Sequence, residues 1–190
     1  MNNKIRVCCG VPTADFIRTK TVATLLSLVK RDPTISVQIK QGCYVHKNRE
    51  EIVVDAQRMG GFTHLFFVDS DQCFSADVLE RLLSREADII AAPYKYRNES
   101  GDWVLCLTEK SNAHEKEIPD KLFTAYAAGT GCMLIKMSVF DKIPRPWFTL
   151  GPPEMQTGED IFFCKKAQEY GYKIWVDPSV EVSHIGEYLY

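Results

Sequence analysis

No stretch of this sequence approaches the roughly 20 consecutive apolar residues that a spanning helix needs, so no transmembrane segment is expected. Charge of one sign is also lacking. With 23 basic and 25 acidic residues the formal net charge is -2, so nothing draws the chain to nucleic acid in bulk, and an anionic substrate needs a local cation. The seven cysteines are an odd count without Cys-x-x-Cys spacing, and no secretory leader precedes Met1-Asn2-Asn3-Lys4. The expected compartment is a reducing cytoplasm. Cys8, Cys9, Cys132 and Cys164 lie in apolar segments and read as small hydrophobes. A glycine-rich phosphate loop is missing after the first apolar run, where Gly10-Val11-Pro12-Thr13-Ala14 stands instead, which argues against a sugar nucleotidyltransferase. Internal repeats and low-complexity tracts are missing too.

What is present fits one soluble domain over residues 1–190, the chain being 45% hydrophobic and 25% charged. Such a domain can be a catalytic piece of a longer, multidomain protein. Ile5–Cys9 reads as a strand ended by Gly10-Val11-Pro12-Thr13, followed by a helix with Val22, Leu25, Leu26 and Val29 as its buried stripe. Thr34–Ile39 alternates Ile35, Val37 and Ile39 with polar residues, a second strand. Ile52, Val53, Ala56 and Met59 give the next helix, stopped by Gly60-Gly61. A third strand, a helix from Ser75 to about Arg85, and a strand at Ile89–Ala92 ended by Pro93 complete a β-α repeat, which implies a parallel sheet. After Pro93 the pattern turns mixed. Trp103–Leu107 reads as part of a small antiparallel excursion, Leu122–Ala127, Cys132–Ile135 and Ile174–Val176 as further strands, and Pro144–Gly158 as a proline-rich loop near a site.

The most informative stretch is Thr63–Gln72. Leu65-Phe66-Phe67-Val68 is a continuous apolar run, as in a strand covered on both faces, and it stops on Asp69-Ser70-Asp71. In an extended chain residues i and i+2 face the same way, so the two carboxylates are expected to converge and share a divalent cation. The local alternative is that Asp69 and Ser70 open a turn and Asp71 helps cap the next helix, although Ser75 already suits that cap. Ligands of open α/β sheets bind at the carboxyl ends of their strands, which favours the functional reading.

A second acidic pair, Glu159-Asp160, precedes the helical spacing Phe163, Ala167, Tyr170. It reads as a capping box, with Thr157 as N-cap and Asp160 three residues on, and equally as a source of a general base; the two roles are compatible. His184 ends an alternating strand and can join two carboxylates around a metal, whereas His46, His64 and His114 read as structural.

Val11-Pro12-Thr13, Lys47-Asn48-Arg49, Phe67-Val68-Asp69-Ser70-Asp71, Gly158-Glu159-Asp160 and His184 follow one another in an order that resembles the GT-A fold of nucleotide-sugar glycosyltransferases, especially the family 2-like group. The resemblance spans nearly the whole chain. It implies a single α/β domain with a mostly parallel central sheet flanked by helices and a small antiparallel excursion, residues 1–92 forming the nucleotide-binding half and 93–190 the acceptor and catalytic half. It also implies Mn2+ or Mg2+ on the diphosphate of a nucleotide-sugar donor of the UDP class, with Asp71 and His184 as direct ligands. Asp69 touches the ribose or the metal, and Ser70 stands with it among the donor-binding residues. Pro12, Thr13 and Arg49 lie near the base and phosphates. Asp160, with Glu159 second, takes the proton from an acceptor hydroxyl, on a glycan by expectation, with inversion favoured over retention. Tyr94, Lys95, Tyr96, Trp147 and Phe148 read either as aromatic walls for a sugar or as packing. The competing expectations are an Asp-nucleophile phosphohydrolase, whose Asp-x-Asp normally follows the first strand, and a non-catalytic nucleotide-sugar-binding domain.

Overall fold

The computed structural model describes residues 4–111, 114–151 and 158–186. Its first elements alternate: β1 (Val7–Thr13), α1 (Thr19–Arg31), β2 (Ser36–Gln41), α2 (Val45–Met59), β3 (His64–Val68), β4 (Gln72–Phe74), α3 (Val78–Leu83) and β5 (Ile89–Ala91). Then follow β6 (Leu105–Cys106), β7 (Phe123–Ala125), β8 (Ala127–Ala128), β9 (Cys132–Lys136), α4 (Met137–Lys142), α5 (Glu159–Glu169), β10 (Ile174–Val176) and β11 (Val182–His184).

Seven strands form one sheet in the order β2-β1-β3-β9-β5-β10-β7. β2, β1 and β3 pair in parallel, as do β5 and β10, while β9 enters antiparallel between β3 and β5 and β7 closes the far edge antiparallel to β10. The sheet is thus mostly parallel in direction, and the expected antiparallel excursion appears as the ribbon β6-β8, with a second ribbon, β11-β4, beside it. Alternate residues of the apolar runs feed opposite faces. Cys9, Val11, Phe66, Val68 and Ile90 pack with Leu25 and Leu28 of α1 and Val78, Leu79 and Leu82 of α3. Cys8, Leu65, Phe67, Ile89 and Met133 pack with α2, α4 and α5. Both faces are covered, which is why Leu65–Val68 shows no alternation.

Several sequence expectations need correction. β1 does not stop at Cys9 but continues through Gly10-Val11-Pro12-Thr13, paired with β2 as far as Thr13↔Gln41. Pro12 is tolerated because it lies beyond the last residue β1 shares with β3, Gly10. The buried stripe of α1 is Thr21, Thr24, Leu25 and Leu28, one residue out of phase with the expected one, and Leu26 is 67% exposed. In β2 the phase is inverted. Val37 and Ile39 face outward, and Gln38 and Lys40 turn toward Met59 and Asp55 of α2, because β2 is an edge strand that the helices only partly cover. Ser75 does not cap a helix: β4 intervenes after Asp71, and α3 begins at Val78 behind Asp77.

The aromatic pair Trp147-Phe148 belongs to the core. Phe148 stacks on Phe163 with centroids 4.8 Å apart and meets Phe67 edge-on, and Trp147 Nε1 donates to the Ile143 carbonyl. The Glu50 carboxylate, brought in by α2, accepts from the backbone amides of Trp147 and Phe148 and from Arg145. A carboxylate buried against two amides and a guanidinium fixes this stretch in place. Residues 152–157, including Thr157, lie outside the described residues.

Candidate active site

The carboxyl ends of β1, β3 and β5 meet the amino end of antiparallel β9 along one edge of the sheet, and the chemically active side chains gather there. β3 ends at Val68, and the next residues form a turn in which the Gln72 amide bonds to the Asp69 carbonyl at 3.2 Å. Asp and Ser favour such turns through their short polar side chains. The extended-chain argument for convergence therefore does not hold locally, and the two carboxylates are turned to different partners. Asp69 faces Arg49 and Asp71 faces His184 and Arg97.

Arg49 comes from α2, on the same helical face as Ile52, Val53 and Ala56. It is 1% exposed, and its Nη2 donates to Asp69 Oδ1 at 2.7 Å while its Nε lies 3.5 Å from Glu159 Oε1 and 4.0 Å from Asp160 Oδ1. Its face rests on the Phe67 ring, 5.2 Å from the centroid. Three carboxylates hold the guanidinium charged despite burial. Its place is beneath the carboxylates, not on an open phosphate-binding surface. Asn48, one residue earlier, donates to the carbonyls of Thr13 and Gly42, so α2 is tied to the end of β1 as well. Pro12 and Thr13 are buried there, with the Thr13 hydroxyl donating to the Phe16 carbonyl. The Ser70 carbonyl accepts from the Arg18 amide at 2.8 Å.

Asp160 stands in the first turn of α5, where Gly158 occupies the cap position and makes no side-chain cap. Its carboxylate instead accepts from the Thr130 hydroxyl, supplied by the Gly129-Thr130-Gly131 segment before β9. Burial, with Glu159 and Asp69 adding negative charge, pushes the Asp160 carboxyl up to about 7 against the pull of Arg49 and Thr130. Its side chain keeps 26% of its surface accessible and forms part of a cavity of about 270 Å³ with Tyr96, Val104, Ala127 and Ile161.

β11 pairs with β4 so that His184 lies opposite Gln72, and the Ile185 amide bonds to the Asp71 carbonyl. His184 Nε2 comes 3.3 Å from Asp71 Oδ1, while its Nδ1 lies 2.9 Å from the Lys95 carbonyl. A carbonyl only accepts, so Nδ1 carries the hydrogen, and in the neutral ring Nε2 turns its lone pair to the carboxylate. Tyr94 meets the imidazole edge-on at 5.3 Å, which fixes the ring further. Asp71 also pairs with Arg97 at 2.6 Å; burial would raise its pKa, but the hydrogen bond and charge that His184 offers when both its ring nitrogens carry hydrogen, together with the charge of Arg97, prevail and lower it. Arg18, Arg97, Tyr94, Tyr96 and His184 line a second cavity of about 580 Å³, which shares Tyr96 and Val104 with the first.

The donor set at Asp71 and His184 fits a cation such as Mn2+: a carboxylate oxygen beside an imidazole whose other nitrogen is held by a carbonyl. Among the described residues no three His, Cys, Asp or Glu side chains gather as a metal cluster. Asp69 is turned away to Arg49. Other coordination positions would fall to ligand oxygens and water.

Sequence reasoning missed Glu50, Tyr94 as a buried support, Thr130 and Arg97. One signal was readable: the apolar face of α2, followed back one turn from Ile52, lands on Asn48 and Arg49. Another was Gly129-Thr130-Gly131. A Cβ on Gly131 would stand 2.6 Å from Asp69 Oδ2 and 2.7 Å from the Tyr94 hydroxyl, so only glycine lets this backbone pass between them.

No protein-family model matches the chain, and no curated protein matches it. Among solved structures, the A197 protein from STIV is similar over 95% of this chain and 86% of its own, with a TM-score of 0.71 and 22% identity. A second, GalNAc-T7 crystallised with UDP, GalNAc and Mn2+, matches over 100% of this chain with a TM-score of 0.57 and 12% identity. The fold is of the GT-A type. This chain spans 45% of the GalNAc-T7 chain, and at these identities the likeness is one of fold. No helix among the described residues is long and apolar enough to cross a membrane.

Proposed function

We propose that the chain is a metal-dependent glycosyltransferase that moves a sugar from a UDP-linked nucleotide sugar to an acceptor hydroxyl on a glycan. The observation that carries this reading is the pairing of two unlike cavities across Tyr96 and Val104, one bordered by Arg18, Arg97 and His184 and the other by Asp160. The cationic cavity suits a diphosphate, the acidic one a hydroxyl that must lose a proton. The GT-A type fold supports it, and GalNAc-T7, a distant neighbour, was solved with UDP and Mn2+.

In this reading Asp71 and His184 would hold Mn2+ or Mg2+, which would supply countercharge for a departing diphosphate. Arg18 lies along the same cavity and adds positive charge to it. Pro12, Thr13 and Ser70, at the ends of β1 and β3, border the nucleotide. The acceptor oxygen attacks the anomeric carbon as the bond from that carbon to the phosphate oxygen breaks, the bonding electrons stay with the diphosphate, and the acceptor proton passes to Asp160. This is an inverting displacement. A carboxyl poised near neutrality is suited to take that proton, and Thr130 holds the oxygen it bonds in one orientation. Glu159, 3.5 Å from Arg49, is the second carboxylate of the pair. Arg49 keeps Asp69, Glu159 and Asp160 together. Residues 1–92 give the donor side Asp71, Arg18 and the ends of β1 and β3, while residues 93–190 give it Arg97 and His184 as well as the acceptor and proton-transfer side, so the expected split at residue 92 does not divide the donor site cleanly.

The test is incubation with Mn2+ and labelled UDP-sugars over a panel of glycan acceptors, read as release of UDP. Release of inorganic phosphate instead would replace this reading with a phosphohydrolase, and nucleotide binding without turnover would replace it with a binding domain.

A further inference from the structure

Asp71 serves two partners with one carboxylate. Its Oδ1 faces His184 Nε2 at 3.3 Å, and its Oδ2 is taken by Arg97 Nη1 at 2.6 Å. Arg97 is held there by its loop. The Lys95–Trp103 bridge and the bond from the Tyr96 amide to the Asp102 carbonyl fix the residues just before it, and the chain after β11 passes beside its side chain at Gly186. Its own side chain is half exposed and borders the cavity that also holds Arg18 and His184. With Arg97 in place, the single negative charge of Asp71 is balanced. A dication arriving at the same carboxylate would meet an arginine already there, so two cations would share one anion at short range.

Building on the glycosyltransferase reading, we propose that Arg97 is a placeholder for the metal: it occupies Asp71 in the ligand-free chain and transfers to the donor diphosphate when metal and nucleotide bind together. The exchange makes metal binding depend on the nucleotide. Metal alone must share Asp71 with Arg97 or displace it with no anion to receive it. Metal with a nucleoside diphosphate supplies that anion, and the cavity keeps both cations paired. The guanidinium fork suits both partners, because it can bond a carboxylate and a phosphate with the same parallel donors. The geometry needs only rotation of a half-exposed side chain on a loop, since both destinations border one cavity.

The experiment measures Mn2+ affinity of the parent chain, Arg97→Ala and Arg97→Lys by calorimetry, first with Mn2+ alone and then with UDP added. For Mn2+ alone, Arg97→Ala should bind about two- to five-fold tighter than the parent, the factor expected for releasing one solvent-accessible ion pair, with Arg97→Lys close to the parent. With UDP the order should reverse, because Ala offers nothing to the diphosphate. An Arg97→Ala chain that binds Mn2+ no tighter than the parent, while Asp71→Asn abolishes binding, overturns the exchange and leaves the metal site standing. Mn2+ binding that survives Asp71→Asn overturns the metal placement itself, and the exchange with it.

Discussion

Arg49 and Asp69 form a buried ion pair of 2.7 Å at the centre of the site, with the guanidinium 1% exposed and two further carboxylates within 4.0 Å of it. Such a pair contributes less to stability than its Coulomb attraction suggests, since both charges left water to form it, but removing one member leaves the others uncompensated. Arg49→Met is expected to cost roughly 3–5 kcal/mol of unfolding free energy, measured by urea denaturation at pH 8. At pH 5 the loss should be smaller. Without Arg49 the folded-state pKa of Asp160, already raised by burial, rises further, the folded chain then takes up protons more readily than the unfolded one, and the stability of the variant falls as pH increases.

Asp160 predicts the pH profile. Its carboxyl is raised from 3.8 to about 7, so the basic form that accepts the acceptor proton accumulates only above that value. Transfer rate should climb with pH through about 7, and Thr130→Val, which removes a donor to the carboxylate, should move the midpoint higher. Stability has the opposite sign. A carboxyl whose folded pKa is raised contributes stability at low pH that is lost as pH rises through the folded value. Asp160→Asn should abolish that loss and match or exceed the parent in urea midpoint at pH 8.

Asp71 and Asp160 divide the labour. Asp71→Ala is expected to abolish metal-dependent UDP binding, whereas Asp160→Asn should leave binding nearly intact and lower kcat by about 10²–10⁴, the usual contribution of a positioned base. Titration calorimetry alongside initial rates separates them. Equal loss of donor binding in both variants would sink the assignment.

Gly131→Ala places a methyl carbon 2.6 Å from Asp69 and 2.7 Å from the Tyr94 hydroxyl. Neither neighbour is the free end of a flexible chain, because Asp69 is held by Arg49 and Tyr94 accepts a hydrogen bond from the Gly131 amide. A lowered Tm together with weakened UDP binding is expected, while Gly158→Ala, with nothing among the described residues within 4 Å of the added methyl, should leave Tm within about a degree or two.

Phe148→Ala distinguishes core from sugar wall. Buried against Phe163, Phe67 and Phe140, its ring should cost about 3–5 kcal/mol on truncation. A change confined to acceptor KM, with stability intact, would contradict that.

The sequence made the sheet legible because hydrophobic runs bounded by Gly, Pro and Asp record burial directly: Leu65–Val68, Ile89–Ala91 and Cys132–Ile135 all lie in central strands. Phase was less legible. The apolar spacing of α1 admits two stripes one residue apart, and only its packing on the sheet selects Thr21, Thr24, Leu25 and Leu28. In β2 the alternation was real but faced outward, because an edge strand is not obliged to point its apolar residues at a helix. The acids of the site were legible as a surplus over local structure. Their pairings were not: Arg49, Thr130 and Arg97 lie 20, 30 and 26 positions from the carboxylates they touch, and only the folded sheet edge brings them there.

β9 has a consequence for the order in which the protein comes together. It inserts between β3 and β5, two strands made long before it, and its first residues carry Gly131 to Asp69. A nascent chain that has emerged only as far as residue 92 therefore exposes two facing, unfilled strand edges lined with apolar side chains. Such a chain can satisfy them with another molecule before residue 136 arrives. Completing the middle of the sheet precedes completing the site, which also waits for Asp160 and His184, so fragments cut between residues 92 and 132 are expected to aggregate as well as to be inactive.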